Sequence, residues 1–303
     1  MSQSASTSTI CVIGASGRSG SALCRQLIAQ GRSVIAVVRS RGKLAPDLAE
    51  MCTAVRQADL TDPVALPIAL EQADVVVNTA HARHLPAILL ATLAPVVALG
   101  STRKFTRWLD DHGRGVLAGE AALKADGRPS ILLHSTMIYG AQGEDNVQRL
   151  ARLLERLPIV PLPGGGRSLV QPIHQQDVTR CVVAAIDLIL GGKVSGPEVF
   201  IIAGPNAVPY RTFVRMVLYF SGLGGRPIIS LPAWFLIAAA HIIRHVPKLP
   251  TIAPEEIRRL LEDKNFDIAP MRERLGVNPI SLEIGLQSLL AVTPAHQDHT
   301  DYF

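Results

Sequence analysis

The stretch Ile10-Cys11-Val12-Ile13-Gly14-Ala15-Ser16-Gly17-Arg18-Ser19-Gly20 decides the fold. A short apolar run breaks into a glycine-rich turn, and Ala22, Leu23, Leu27 and Ile28 follow at helical spacing. Strand, turn and helix in that order form the context in which a glycine motif holds a dinucleotide. The spacing is G-x-x-G-x-x-G. Gly14 lets the chain turn sharply off the strand, Gly17 lets the backbone approach a pyrophosphate, and Gly20 lets the helix pack close to the sheet. The pyrophosphate then rests on the helix N-terminus, where unpaired N–H groups and the dipole favour an anion. Ser16, Arg18 and Ser19 share that turn and join the candidate set. The alternative is a tight strand-to-helix turn with no ligand.

Outward from this stretch the first half alternates. Strands are expected at Thr9–Ile13, Ser33–Val38, Ala54–Ala58, Val75–Asn78, Val96–Gly100 and Ser130–His134. Helices are expected at Gly17–Gln30, Pro63–Glu71 (capped by Thr61 or Asp62), Leu85–Leu93 and near Leu117–Ala125. Almost wholly apolar strands between helices indicate a parallel sheet covered on both faces. Right-handed crossovers make it a doubly wound α/β (Rossmann) sheet. After Gly140 the pattern loosens. Helices Asn146–Leu157 and Gln175–Leu190 precede a strand at Glu198–Ala203, and helices follow at Arg211–Ser221, Ala233–Arg244, Pro254–Glu262 and Ile280–Ala291. We therefore expect an NAD(P)-binding domain over 8–205, a smaller, mainly helical lobe on the substrate or partner side over 206–291, and a flexible tail over 292–303.

The second strand ends at Val38, and Arg39 follows. An acidic residue there holds the ribose 2′-OH of NAD, whereas an Arg accommodates the 2′-phosphate of NADP. Arg41 and Lys43 are nearby, and no acidic residue occurs before Asp47. Arg18 reaches toward the same phosphate from the glycine turn, so NADP(H) is expected over NAD(H). The alternative is a pair of solvated surface arginines. Asp59 and Leu60 follow the third strand, where Asp59 accepts from an adenine amino group or caps the next helix. Thr79 and Ala80 end the fourth strand at the crevice edge.

The 303 residues are 48% apolar and 18% charged, a well-buried globular composition. The net charge of +5 suits a phosphate-bearing ligand or an anionic membrane surface. The basic residues are scattered without aromatic interleaving, which argues against nucleic acid. Four cysteines without a C-x-x-C pair suggest a reducing compartment, and the polar N-terminus does not read as a secretory signal, so a cytoplasmic location is expected. Residues 228–243 (IISLPAWFLIAAAHII) are apolar but interrupted by Pro232 and His241. They fall short of a span and read as a buried helix, or alternatively as one lying on a membrane surface.

The pieces together resemble the short-chain dehydrogenase/reductase superfamily in its extended or atypical branch. GASGRSG (14–20) matches its glycine turn and ADLTD (58–62) its adenine-side motif. PIHQQDV (172–178) is similar to its P-[IV]-H-V-x-D-V segment, with Gln175 in place of Val. HSTMIYG (134–140) resembles R-P-T-x-x-Y-G, with His134 and Ser135 replacing Arg and Pro. EDKNFDIAPMRERLGVNPISLEIGL (262–286) resembles the closing helices of bacterial relatives of the complex I 39 kDa accessory subunit. Nucleotide-sugar epimerases and dehydratases share this layout.

The resemblance implies a Tyr-x-x-x-Lys pair with an upstream Ser, in which the Lys lowers the Tyr pKa for proton exchange while hydride moves. None of the tyrosines at 139, 210, 219 and 302 has Lys four residues on. Counting back from Glu120 places His112 at the Tyr position and Val116 at the Lys position. Ser101 stands where the family Ser would. His112, with an ordinary pKa near 6.5, and Tyr139 at a strand end are the candidate proton carriers. The alternatives are a helix-start His and a packing Tyr. Arg103 and Lys104 either bind an anionic substrate or cap the loop. His81, His84, His174 and His241 lack metal-ligand spacing, so no metal is expected. Two functions remain: an NADPH-dependent oxidoreductase or epimerase/dehydratase-like enzyme acting on a small molecule, or a catalytically silent NADPH-binding module. The module would dock through 228–243 on a membrane-associated complex, such as a respiratory NADH dehydrogenase at the inner membrane.

Overall fold

The computed structural model describes residues 8–140, 146–243 and 254–290. In chain order the strands are β1 (Thr9–Ile13), β2 (Ser33–Val38), β3 (Ala54–Gln57), β4 (Val75–Asn78), β5 (Val96–Ser101), β6 (Ser130–Ser135), β7 (Ile138–Tyr139), β8 (Val160–Pro163), β9 (Leu169–Val170), β10 (Ile173–His174), β11 (Pro197–Ile202), β12 (Val208–Pro209) and β13 (Ile228–Leu231). The α-helices are α1 (Arg18–Ala29), α2 (Pro46–Met51), α3 (Ala65–Leu70), α4 (Leu85–Ala91), α5 (Asp111–Asp126), α6 (Asn146–Glu155), α7 (Gln175–Leu190), α8 (Tyr210–Phe220), α9 (Ala233–Ile243), α10 (Pro254–Arg259), α11 (Ala269–Leu275) and α12 (Leu282–Leu290).

Seven parallel strands form the main sheet in the order β11-β6-β5-β4-β1-β2-β3. Successive side chains of one strand feed opposite cores, as the two-residue period of a strand requires. Ile10, Val12, Val34 and Ala36 pack beneath α1, α7 and α11. Cys11, Ile13, Ile35 and Val37 pack on the other face against Leu66, Leu85, Ile88 and Val116. Both faces are covered, so the strands read as unbroken apolar runs. The strand order reverses between β1 and β4, and the crevice outside their carboxyl ends is where open α/β sheets bind ligands.

A third core joins Tyr139, Val147, Leu154, Val160 and Leu162 to Phe213, Val217, Leu282 and Leu286. Two-stranded pairings β8–β13 and β9–β12 brace this smaller lobe. The chain crosses between the lobes several times, because Ile268, Met271, Leu275 and Val277 return to the first core. Helix α11, hidden in the sequence by Pro270 and four charged residues from Asp267 to Arg274, makes that return.

Two local expectations need correction. Residues 228–243 are not one buried helix: Ile228–Leu231 pairs in parallel with Val160–Pro163, and α9 starts only after Pro232. Trp234 and Phe235 on that helix are 70% and 50% exposed. Among the described residues, no helix is long and apolar enough to cross a membrane. The helix expected near Leu117 begins six residues earlier, at Asp111. Gly113 and Gly115 disguise that start, because glycine is a poor helix former. Asp110 sets it, with Oδ1 accepting from Gly113 N at 2.9 Å. The proposed tail of 292–303 lies outside the described residues.

Candidate functional site

The glycine turn sits at the strand-order reversal. Gly14 has φ +79°, and a Cβ there would stand 2.9 Å from Thr79 Oγ1, so both conformation and space require glycine. Gly20 lies under the turn, and a Cβ would come within 2.2 Å of Gly14 O. Gly17 differs. Its φ is −80°, and a Cβ would meet only Gly14 O at 3.2 Å. A side chain there would need Gly14 O to give by a few tenths of an ångström, with nothing else within 4 Å. Thr79 ties the fourth strand's end to the turn, donating from N to Ile13 O at 3.0 Å and from Oγ1 to the same oxygen at 2.8 Å.

Arg18, the first residue of α1, lines the crevice, and Arg39 is exposed at the end of β2. Neither forms a hydrogen bond or ion pair among the described residues. Asp59 turns back on Thr61, its Oδ1 accepting from Thr61 N at 2.9 Å and Oγ1 at 2.7 Å. These bonds, with the charge of Arg39 behind them, hold its carboxyl below the ordinary range. Asp62 caps the approach to α3 instead, accepting from Val64 N and Ala65 N. Asp59 itself is exposed, and Leu60 beside it is half-exposed. Ser16 is exposed in the turn, whereas Ser19 donates to Gln175 Oε1 at 2.8 Å. An open backbone at Gly17, a helix N-terminus and two uncommitted guanidinium groups fit a phosphorylated dinucleotide.

Beyond the turn lies a cavity of about 650 Å³, lined by residues that leave β1, β4, β5 and β6 and by a wall from 259 to 266. Ser101, His112 and Val116 all line it, as do Thr79, Ala80 and Arg103. Ser101 Oγ accepts from Arg103 N at 3.1 Å, which leaves its O–H proton free to donate. His112 and buried Val116 lie one turn apart on α5. The His112 ring stands edge-on to that of His81, with centroids 4.2 Å apart. Burial, followed by the charge of Arg103, holds the His112 pKa below its ordinary value. His81, pressed by burial and by His112, is held down to about 4. Its Nδ1 accepts from Arg83 N at 2.9 Å, so the neutral ring carries its proton on Nε2. Gly115 and Gly119 let α5 approach this loop; a Cβ on Gly119 would sit 2.1 Å from Ala82 O.

Tyr139 is not brought into this group. It is 1% exposed in the smaller lobe's core, with its ring 5.2 Å from that of His174. Its hydroxyl faces Gly285, where an added Cβ would fall 2.1 Å away. Burial pushes its pKa up. The two motifs at 134–140 and 172–178 serve each other: Ile138 and Tyr139 pair in parallel with Ile173 and His174. His174 Nδ1 caps α7 through Gln176 N.

Beneath the crevice floor, Lys104 and fully buried His134 both bind Glu120 Oε2, the latter at 2.8 Å, while Lys124 binds Oε1 at 2.7 Å. Burial pushes the Glu120 pKa up, but these three partners outweigh it and hold it down to about 2. Burial dominates at His134 and holds it down to about 4. Lys104 is thereby tied into the floor.

Sequence reading weighed His81 only as a metal ligand and did not single out Arg259. His81 follows the fourth strand in the same N-T-A-H run as Thr79, a positional signal that was available. Arg259 comes from a helix 146 residues downstream of Gly113, and nothing local marks it.

Residues 14–151 match the sequence model of a family described as NAD(P)H-binding. An uncharacterized protein of Mycobacterium tuberculosis is 26% identical over 275 residues, 89% of this chain and 28% of that protein. The chain thus spans little more than a quarter of the curated relatives it first matches. Among solved structures, UDP-glucose 4-epimerase with UDP-glucose from Thermotoga maritima superposes with a TM-score of 0.69 at 16% identity, over 93% of this chain and 97% of that one. NADPH-dependent quinone oxidoreductase complexed with NADPH from Escherichia coli gives a TM-score of 0.69 at 20% identity, over 92% and 99%.

Proposed function

We propose that this chain is an NADP(H)-binding oxidoreductase or epimerase/dehydratase-like enzyme of the extended or atypical short-chain dehydrogenase/reductase kind that works without a Tyr-x-x-x-Lys pair; the match of residues 14–151 to an NAD(P)H-binding model and the fold shared with an epimerase and a quinone oxidoreductase support that reading. The observation that carries the cofactor choice is the pair of uncommitted arginines, Arg18 and Arg39, flanking the glycine turn. They bind the 2′-phosphate, Gly17 and the N-terminus of α1 receive the pyrophosphate, and Asp59 and Leu60 flank the adenine side. Thr79 and Ala80 border the next stretch of the crevice. When bound, the dinucleotide supplies hydride chemistry. Ser101 donates a hydrogen bond to a substrate oxygen, and His112 gives or takes at its imidazole the single proton that joins or leaves that oxygen. Val116 offers no charge to tune that exchange, and Tyr139, shut in the second core, is proposed only as a packing residue.

The exposed Trp234 and Phe235 on α9 favour a second reading, a catalytically silent NADPH-binding module that docks on a membrane-associated complex. NADPH consumption against quinones, aldehydes and nucleotide sugars separates the two. Turnover abolished by His112→Ala supports the enzyme. Tight NADPH binding with no turnover on any of them overturns it and leaves the module.

A further inference from the structure

The crevice holds a charge arrangement that the cofactor does not use. Arg103, following β5, and Arg259, on α10 of the other lobe, converge on one carboxylate, Asp110. Arg103 Nη2 bonds Asp110 Oδ2, and Arg259 Nη1 stands 3.5 Å from the same oxygen. Asp110 also caps α5 through Gly113 N. One negative charge is thus spread over two guanidinium groups and a helix end. Arg103 Nε is shut from solvent and without a hydrogen-bond partner among the described residues, and Arg259 Nη1, equally shut in, has only its long ion pair to Asp110. A buried cationic donor without an acceptor is costly, and such groups call for a reason.

The other acids nearby do not supply the missing acceptor. Glu262 is committed to Thr106 Oγ1 and Arg107 N, both at 2.7 Å. Asp263 accepts from Leu169 N at 2.9 Å. Glu255 and Glu256 touch Arg259 only through longer-range attraction. Lys264 adds a further positive group to the crevice lining, and Thr136, also in the lining, has a buried hydroxyl without a partner. Arg103, Arg259 and Lys264 are matched in number by Asp110, Glu262 and Asp263, but of these acids Asp110 alone meets the two arginines among the described residues.

We propose that the substrate carries an oxyanion, a carboxylate or a phosphate monoester, which is gripped between Arg103 and Arg259 across the two lobes and placed beside His112. Because the two arginines come from opposite walls, such a ligand also draws the lobes together. The proposal deepens the enzyme reading above but is tested without it.

The full chain, free of dinucleotide, is titrated with malonate and, separately, with inorganic phosphate, with chloride as the control. The readout is the His112 ring resonance followed through pH. The groups facing His112 are Arg103, Arg83, Arg259, Asp110 and His81. An anion between the arginines raises the His112 pKa toward its ordinary value. Anion held elsewhere, at Arg18 and Arg39, leaves that ring unmoved. Response to malonate alone assigns a carboxylate, and response to phosphate alone a phosphoryl group; either supports the proposal. Arg103→Gln and Arg259→Gln each weaken binding about tenfold or more, the range for a lost charge-assisted bond. Asp110→Asn keeps a helix cap while removing the competing charge, and tightens binding. If neither anion moves the His112 resonance, or if Asp110→Asn weakens binding in a folded protein, the proposal is wrong. Loss of NADPH binding or turnover with this response intact would overturn the enzyme reading alone.

Discussion

Gly17 and the two flanking arginines make separable predictions at the scale of single residues. Gly17→Val places a branched side chain where the pyrophosphate must approach, while the turn need yield only slightly at Gly14 O to admit a Cβ. NADPH binding is abolished with little change in melting temperature, and calorimetry beside a thermal melt checks both. Arg39→Gln and Arg18→Gln each weaken NADPH by about 10-fold or more and NADH far less, since a lost charge-assisted bond costs about 1.5–3 kcal/mol. Titration of both dinucleotides reads the difference. The Glu120 cluster predicts a pH dependence. His134 is held at about 4 against an ordinary 6.5, and Glu120 at about 2 against 4.5. In both cases the unfolded chain binds more protons, so stability rises with pH. It is lost first between about pH 6.5 and 4 through His134, then between about 4.5 and 2 through Glu120. Denaturant melts of Glu120→Gln lack the lower step and keep stability flatter below pH 4.5. The glycine turn was legible in the sequence because its chemistry is local. Arg259 was not, because its role arises from neighbours brought in by the fold.

Helix α5 shows what periodicity alone can carry. Its second half was visible as an apolar pattern, but its first turn, which holds His112, was hidden by the glycines that let it sit against residues 81–84. Those glycines trade helix propensity for close approach. Gly119→Ala forces a Cβ to within 2.1 Å of Ala82 O, so the helix must move. Overpacking of this kind costs about 1–3 kcal/mol. The expected result is a lower melting temperature together with loss of the His81–His112 ring contact, seen as a change in the His112 resonance. The strands of the sheet were read almost to the residue, because the central ones are buried on both faces and stay apolar, whereas the edge strands β3 and β11 carry polar residues. The segment 228–231 was not. Its apolar residues suit a strand or a helix equally, and pairing with residues 160–163 decides between them.

At the scale of the whole molecule, the lobes are held by polar groups that reach across long stretches of chain. Asp177 is fully buried and accepts from Ile280 N at 2.8 Å and Arg180 Nη1 at 2.7 Å. Gln171 donates to Gly204 O and Phe266 O and accepts from Phe266 N. Asp177→Ala strands Ile280 N, while Arg180 keeps Asn278 O, and destabilises the protein by about 2 kcal/mol, against a smaller loss for Asp177→Asn, as denaturant unfolding will measure. Doubly wound architecture was evident from strand and helix alternation; the interleaving of the lobes was not, since it rests on contacts between residues about 100 positions apart. The return of 268–277 to the first core has a consequence for assembly. A chain cut after residue 205 keeps every strand of the sheet yet lacks Ile268, Met271, Leu275 and Val277, leaving an open hydrophobic wound beside α7. The nucleotide-binding half is therefore not a free-standing piece that matures first and waits. Its last wall comes from the far lobe, so the two halves are expected to unfold as one cooperative unit, with coincident denaturant transitions by two probes as the check.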